Sequence, residues 1–196
     1  MPRPHWSLCL VLALGLIAGC GETPPAETDH EAETPDVKVE VAAVTLDGLM
    51  DLVEMDLENS EAPRTKPVVV HLWANWCPEC VTEIPALVEF QKRLGDKADF
   101  VSVSMDFAEN NKKHANLAAA VAAVTAAADA KSLPFAVHVA DPGDGDAAGW
   151  YAYLEVSNEV PWTVVFDKDG VKKADHQTFE SADQAMTWFE GALKAE

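Results

Sequence analysis

Two cysteines separated by two residues, Cys77 and Cys80, are the side chains whose types and spacing point most directly to chemistry. A thiolate attacks a disulfide to form a mixed disulfide, and a second thiol close by can then displace the product. An apolar run ends just before the pair, and Pro78 is a residue type that starts helices. We therefore expect Cys77 at a helix N-terminus, where the positive end of the helix dipole favours a thiolate. This predicts that Cys77 is the exposed, attacking thiol and that Cys80, one turn deeper, is the resolving thiol.

The remaining cysteines leave this pair alone in the folded part of the chain. Cys9 falls inside an N-terminal apolar segment and Cys20 directly follows that segment, so no structural disulfide is possible beyond the pair. A zinc site is the main alternative, with two further ligands drawn from His71, His114, His138 and His176. Structural zinc pairs usually lie on tight turns, whereas this pair follows a predicted strand and opens a helix. We therefore expect neither a metal ion nor another cofactor.

Residues 1–19 predict a lipoprotein signal peptide. They combine a short basic start with an apolar run of about 11 residues, too short for the roughly 20 that a membrane-spanning helix needs. Small residues precede Cys20, as in the bacterial lipobox, so Cys20 is expected to become the acylated first residue of the mature protein. The alternative is an ordinary signal peptide cut nearby, with Cys20 free. Residues 20–36 are rich in Pro, Thr and acidic residues, which predicts a disordered tether to a domain at 37–196.

Acidic residues outnumber basic residues by 33 to 14, which gives a formal net charge of −19. Binding to nucleic acid needs clustered Lys and Arg to neutralise phosphates, and the sequence has no such cluster. The same charge disfavours adsorption to anionic lipid, so the membrane contact that we expect is the lipid at Cys20. The charge itself predicts a solvated surface that keeps the protein soluble.

Patterns of apolar residues predict alternating strands and helices beyond the tether. Residues 68–73 form a near-continuous apolar run, as in a central strand that is covered on both faces. The predicted strands are residues 37–44, 68–73, 100–105, 135–139, 160–166 and 171–173, and the predicted helices are residues 45–58, 78–94, 116–131 and a C-terminal helix capped by Ser181. Pro85 is expected to kink the second helix. This order predicts an α/β fold of three layers with an antiparallel hairpin at one end.

Four sequence elements together resemble the thioredoxin superfamily, and within it the TlpA/ResA-like exported thiol-disulfide oxidoreductases. They are Leu72-Trp73-Ala74-Asn75-Trp76-Cys77, Glu83-Ile84-Pro85, Val103-Ser104-Met105-Asp106, and Val160-Pro161 followed by Phe166-Asp167-Lys168-Asp169-Gly170. The resemblance implies a thioredoxin-like three-layer α/β/α fold with a central mixed sheet, extended here by an N-terminal strand and helix. It also implies that the Val160–Pro161 bond is cis and faces the pair. Pro161 would then line the substrate groove, and Val160 would offer backbone groups to a peptide.

The side chains around the pair include two departures from the thioredoxin pattern. Pro78 and Glu79 stand between the cysteines, where thioredoxin has Gly-Pro. A carboxylate there would oppose thiolate formation and favour a reductant, unless Glu79 simply points into solvent. His71 stands where thioredoxins carry a buried acid, so it could move the proton of the resolving thiol, or it could be a core histidine held by one hydrogen bond. Trp76 is expected to shield the pair and Trp162 to widen the groove, although core packing would explain either.

The sequence therefore predicts an exported, membrane-anchored enzyme that reduces disulfides of extracytoplasmic proteins, with apocytochrome c as one candidate substrate. The domain would face the periplasm or extracytoplasmic space of a bacterium, and a membrane thiol would donate electrons to the oxidised pair. Two alternatives stay open: an oxidase or isomerase that uses the same cysteines, and a redox sensor or peptide-binding module without turnover. A peroxidase is disfavoured because a peroxidatic cysteine normally lacks a partner three residues further on.

Overall fold

The computed structural model describes residues 38–54, 64–109 and 113–194. The predicted signal peptide, Cys20 and the predicted tether of residues 20–36 lie outside the described residues. Within the described ranges, no helix is both long enough and apolar enough to cross a membrane.

Strands and helices alternate along the described chain, as the apolar patterns predict. In chain order they are β1 (Val41–Thr45), α1 (Leu46–Glu54), β2 (Val68–Trp73), α2 (Pro78–Leu94), β3 (Asp99–Ser104), α3 (Asp106–Glu109), α4 (Leu117–Ala130), β4 (Val137–Asp141), α5 (Ala148–Leu154), β5 (Trp162–Phe166), β6 (Lys172–His176) and α6 (Ala182–Ala192). The predicted hairpin between β5 and β6 is present, and Gly170 supplies its left-handed turn residue with φ of 76°.

The described strands form one mixed sheet in the order β1-β4-β3-β2-β5-β6. The pairs β1–β4, β4–β3 and β3–β2 are parallel, whereas β2–β5 and β5–β6 are antiparallel. Because β5 runs against β2, the end of β2 meets the beginning of β5, with Leu72 opposite Trp162. The segment that follows β2 and the segment that precedes β5 are therefore neighbours at one edge of the sheet. These segments carry Cys77 and Pro161.

Helices cover both faces of β2, which explains the near-continuous apolar sequence of that strand. Val68, Val70 and Leu72 pack in one cluster with side chains of α1 and α5, whereas Val69 packs in another with side chains of α2 and α6. The alanine-rich helix α4 packs through small side chains in a third cluster, which includes both cysteines of the pair. The thioredoxin-like three-layer arrangement is confirmed.

Two short helices, α3 and α5, are not predicted by the sequence patterns. Helix α5 has seven residues and no side-chain hydrogen bond at its N-cap, so it lacks the periodicity and the capping signal that predict a helix. Trp150, Tyr151 and Leu154 are buried, and this packing stabilises a helix that is too short to be stable alone. Strands β1 and β4 are shifted towards the C-terminus relative to the prediction, by one to four residues at each end, and Pro85 lies within the continuous helix α2.

Candidate redox site

Cys77 and Cys80 are joined by a disulfide, with their Cα atoms 5.3 Å apart. Cys77 is the N-cap of α2, with extended backbone (φ −92°, ψ 110°), and Pro78 is the first helical residue. The Sγ atom of Cys77 accepts a hydrogen bond from the backbone N–H of Cys80 over 3.1 Å. A donor and the positive end of the helix dipole thus meet at this sulfur, which favours a thiolate at Cys77 once the disulfide is reduced.

The predicted exposure of Cys77 is wrong for this disulfide form. Cys77 is only 2% exposed, and Cys80 is fully buried. The loop before β5 lies against Cys77, whose Sγ atom is 3.7 Å from the carbonyl oxygen of Val160. The neighbouring Trp76 is 39% exposed. In this disulfide form the Val160 loop therefore limits access to the Cys77 sulfur.

The Val160–Pro161 peptide bond is cis, as the resemblance implies. Pro161 is buried, and it directly precedes β5, whose first residue pairs with Leu72 near the end of β2. The carbonyl of Val160 next to the Cys77 sulfur is a backbone acceptor at the position where an extended peptide would cross the pair. Trp162 is half-buried and packs against the core cluster on the α1 and α5 side.

Glu79 combines features of both readings that the sequence left open. Glu79 is exposed, yet its Oε2 atom lies 3.9 Å from the Sγ atom of Cys77. A carboxylate at this distance acts on the sulfur through solvent as well as directly, so its effect is weaker than that of a buried charge. The geometry nevertheless keeps Glu79 a candidate for tuning the Cys77 thiolate.

A buried carboxylate, Asp106, anchors the segment that leads into the pair. Its Oδ2 atom accepts hydrogen bonds from the backbone N–H of Asn75 over 2.9 Å and from the hydroxyl of Ser104 over 2.8 Å. The N–H of Cys77 donates to the carbonyl of Ala74 over 3.2 Å and closes the turn before the helix. Sequence reasoning assigned no role to Asp106. The available signal was an aspartate two residues after a buried strand.

His71 and Glu83 face each other beneath α2. The Nδ1 atom of His71 is 2.9 Å from the Oγ1 atom of Thr163, and its Nε2 atom is 4.0 Å from the Oε2 atom of Glu83. The backbone N–H of Phe179 donates to Oε1 of Glu83 over 2.5 Å. Sequence reasoning missed Glu83 as a site residue and used it only as part of a motif. The structure brings it to the buried face of α2, one turn beyond Cys80.

Burial moves the pKa values of these two side chains in opposite senses. Burial lowers the pKa of His71 from 6.5 to about 3, so this imidazole stays neutral at physiological pH. Burial raises the pKa of Glu83 from 4.5 to about 7, with the Phe179 N–H opposing that rise. The group that titrates near neutrality behind the pair is therefore Glu83, and His71 is a core histidine with a single hydrogen bond among the described residues.

The histidines do not assemble a metal site with the cysteines. His71 contacts Thr163 and Glu83, and no group of three or more His, Cys, Asp or Glu side chains that could hold a metal ion occurs within residues 38–54, 64–109 and 113–194. The two sulfurs are instead bonded to each other. The arrangement supports disulfide exchange.

Comparison with known proteins shows similarity to one family and to several relatives. The AhpC/TSA family model matches residues 31–174. The thioredoxin-like protein YneN of Bacillus subtilis is 31% identical over 113 residues, which make up 58% of this chain and 57% of that protein. The thioredoxin of Rickettsia typhi is 32% identical over 62 residues, or 32% of this chain and 57% of that protein. The chain thus spans a little over half the length of these curated relatives.

Two solved structures share the fold. A thiol:disulfide interchange protein of the thioredoxin family from Chlorobium tepidum TLS matches with a TM-score of 0.50 and 22% identity, covering 65% of this chain and 80% of that one. The thioredoxin-like superfamily protein SPOA0173 matches with a TM-score of 0.52 and 22% identity, covering 68% and 83%. At such identities the likeness establishes the thioredoxin-like fold.

Proposed function

The chain belongs to the AhpC/TSA family, and we propose that it is a thiol-disulfide oxidoreductase that reduces disulfides of exported proteins through Cys77 and Cys80. The observation that carries this proposal is the disulfide at the first turn of α2, beside the backbone carbonyl of Val160. The helix start favours a thiolate at Cys77, and the carbonyl supplies an acceptor for an extended peptide. Together they support a nucleophile and a peptide-binding position at the same edge of the sheet.

The reaction begins when the reduced pair meets a substrate disulfide. The Cys77 thiolate forms a bond to one substrate sulfur, the substrate S–S bond breaks, and the other substrate sulfur leaves as a thiolate that takes a proton from solvent. The peptide that carries the disulfide lies along the loop before β5, where Val160 offers backbone groups and Pro161 lines the groove. The product of this step is a mixed disulfide between Cys77 and the substrate.

Cys80 then resolves the mixed disulfide. Its thiol must first lose a proton, and the Glu83 carboxylate, one helical turn further on and ionised in part near neutrality, accepts that proton. The Cys80 thiolate attacks the Sγ atom of Cys77, the bond between Cys77 and the substrate breaks, and the substrate sulfur leaves as a thiolate. Two electrons have passed from the pair to the substrate, and the pair is left as a disulfide.

The N-terminal sequence supports a location outside the cytoplasm. Residues 1–19 have the pattern of a lipoprotein signal peptide, and acylation of Cys20 would hold the domain at a bacterial membrane. A thiol donor in that membrane would reduce the Cys77–Cys80 disulfide by the reverse exchange. At that location the available substrates are disulfides of exported proteins, including apocytochrome c.

Reduction of insulin tests the proposed function. We expect the wild-type protein to reduce insulin with dithiothreitol as the electron donor, and the Cys77→Ser variant to show no thiol-dependent turnover, because a hydroxyl does not attack disulfides. The measurement is the turbidity of the released insulin B chain against a dithiothreitol blank. Wild-type protein without turnover above the blank would favour a peptide-binding module or sensor, and turnover that Cys77→Ser retains would exclude Cys77 as the attacking thiol.

Glu79 is expected to lower the reduction potential of the Cys77–Cys80 pair. Its carboxylate lies 3.9 Å from Cys77 Sγ, so Glu79→Gln should ease thiolate formation and raise the reduction potential by about 10–30 mV, where about 30 mV corresponds to a tenfold change in the exchange equilibrium. The wild-type value should lie nearer −270 mV than −120 mV, roughly the range from thioredoxin to strong oxidants. Equilibration with glutathione buffers measures both quantities.

The matched control for that measurement is Glu89→Gln, which makes the same charge change in the same helix. Glu89 pairs with Arg93 on the exposed side of α2, and 12 residues of helix separate it from Cys77 by roughly 18 Å, beyond the screening length at physiological salt. Its potential should match that of the wild-type protein. A wild-type potential near −120 mV would make the protein an oxidase.

A further inference from the structure

Two buried polar atoms face each other beneath α2 at slightly more than hydrogen-bonding distance. The Nε2 atom of His71 and the Oε2 atom of Glu83 are 4.0 Å apart, and neither side chain has exposed surface. Neither atom has a hydrogen-bond partner among the described residues. Buried polar atoms are seldom left without partners, because their desolvation is costly. Two such atoms directed at each other point to a shared proton.

The far ends of both side chains are held in place. Oε1 of Glu83 accepts a hydrogen bond from the N–H of Phe179 over 2.5 Å, which leaves Oε2 as the oxygen that can carry a proton. Nδ1 of His71 lies 2.9 Å from the hydroxyl oxygen of Thr163. With hydrogen on Nδ1, the imidazole donates to Thr163, and Nε2 presents a bare lone pair to Glu83.

We propose that His71 is a positioning residue for Glu83: held by Thr163 in the Nδ1–H tautomer, its Nε2 atom accepts a hydrogen bond from the protonated Glu83 carboxyl. The separation of 4.0 Å exceeds an O–H···N hydrogen bond by about 1 Å, so the proposal requires the Glu83 carboxyl to move towards His71 when it is protonated. The role rests on the proposed function, in which Glu83 receives the proton of Cys80.

The step balances within the named groups. The Cys80 S–H bond breaks, its proton moves to Oε2 of Glu83, and the electron pair stays on the Cys80 sulfur, which attacks Cys77. The new Oε2–H group then donates to Nε2 of His71, which remains neutral throughout. Burial supports these roles because it lowers the pKa of His71, which stays neutral, and raises the pKa of Glu83, which takes the proton. The hydrogen bond stabilises the protonated carboxyl, so it makes Glu83 a stronger base towards Cys80.

The surroundings of Glu83 hold few other groups that titrate. On its own helix, Cys80 is a buried residue one turn before Glu83. On β6, His176 stacks on Phe179 at 4.5 Å between ring centroids, and the N–H of Phe179 bonds Glu83. From β3, the ring of Phe100 stacks on His71 at 6.4 Å. In the described part of the chain, no Lys, Arg or Asp side chain forms an ion pair or hydrogen bond with Glu83 or His71.

Nuclear magnetic resonance on the oxidised full-length protein tests the proposal directly. We expect ¹⁵N shifts of His71 to show hydrogen on Nδ1 and an accepting Nε2, with an Nε2 signal that moves as Glu83 titrates near pH 7 and stays still in Glu83→Gln. We expect the Glu83 ¹³C midpoint to fall by about one pH unit in His71→Leu, because the acceptor for the acid proton is gone. Thr163→Val should lower the Glu83 midpoint by less than His71→Leu does. It should also allow His71 to carry its hydrogen on either ring nitrogen, because the partner of Nδ1 is gone.

The pH dependence of the reaction rate distinguishes a positioning role of His71 from a role in core packing alone. In stopped-flow measurements of His71→Leu, the pH midpoint of mixed-disulfide resolution should fall together with the Glu83 midpoint. In His71→Gln, the side-chain amide oxygen can accept the hydrogen bond, so the pH midpoint should return most of the way to the wild-type value. Ser102→Ala is the matched control, since Ser102 is the buried strand partner of His71 on β3 and bonds Trp73. It should cost stability and leave the midpoint unchanged.

The outcomes distinguish this proposal from the proposed function. An Nε2 that carries hydrogen in the oxidised protein, or a Glu83 midpoint that His71→Leu and Thr163→Val both leave in place, would overturn the role of His71 even in an active reductase. Both readouts use the resting protein, so they decide the role of His71 whether or not insulin is reduced. Absence of insulin reduction by the wild-type protein counts against the reductase alone.

Discussion

Replacing Cys80 by serine is expected to leave the protein covalently attached to its substrates. Cys77 keeps its place at the start of α2 in this variant, so the first attack should proceed within about tenfold of the wild-type rate. Release requires a thiol held next to the mixed disulfide, and a positioned group reacts as if present at very high concentration. Without Cys80, release depends on external thiol and should slow by at least about a thousandfold.

The trapped species is measured by mass spectrometry and non-reducing electrophoresis after incubation with oxidised insulin. Cys80→Ser should give a one-to-one mixed disulfide of protein and insulin that dithiothreitol cleaves, and Cys77→Ser should give none. The same variant, expressed with its N-terminal segment in a bacterium, should collect adducts that identify natural substrates. Adducts on Cys77→Ser in place of Cys80→Ser would reverse the roles of the two cysteines.

The sequence predicts the redox pair and its surroundings well because those features depend on local chemistry. The spacing of Cys77 and Cys80, the helix-starting Pro78 and the resemblance around Pro161 are each read within a few residues. The burial of Cys77 could not be read in this way, because it depends on a loop 83 residues further along the chain. Antiparallel pairing of β5 with β2 creates that contact, and no local pattern encodes it.

The sequence of α2 contains a signal for Glu83. The buried side chains of α2 include Cys80, Leu87, Phe90 and Leu94, which recur with helical spacing, and Glu83 falls in the same stripe. A carboxylate on the buried stripe of a helix that begins with a redox pair is a signal for a functional acid. Its raised pKa comes from burial beneath α2 against β2, and the Phe179 N–H opposes part of that rise; only the structure supplies these contacts.

Glu83→Gln is expected to make the protein more stable than wild type at neutral and alkaline pH. The folded-state pKa of Glu83 is raised from 4.5 to about 7, so its proton is held more tightly in the folded chain than in the unfolded one. The stability that this contributes is fully present below pH 4.5 and is lost as the pH rises through 7. Over that interval of about 2.5 pH units, the loss amounts to roughly 3 kcal/mol.

The measurement is the difference in unfolding free energy between the oxidised variant and the oxidised wild-type protein, from urea titrations between pH 4 and pH 8.5. The difference should change in favour of Glu83→Gln by about 3 kcal/mol as the pH rises. The difference between the two proteins removes the contributions of other titrating groups. One of these is Glu109, because burial and the Asp106 charge raise its pKa to about 7.

The sign also separates Glu83 from His71, whose lowered pKa acts in the opposite direction. A base held neutral by burial contributes stability that is full above pH 6.5 and is lost as the pH falls towards 3. Between about pH 4.5 and 6.5 the two contributions oppose each other, so the pair gives the wild-type protein almost no slope. Glu83→Gln removes one of them and should expose a rise in stability with pH. A difference that stays flat from pH 4 to 8.5 would mean that Glu83 is ionised in the folded protein, and it could then not hold a proton for His71 to accept.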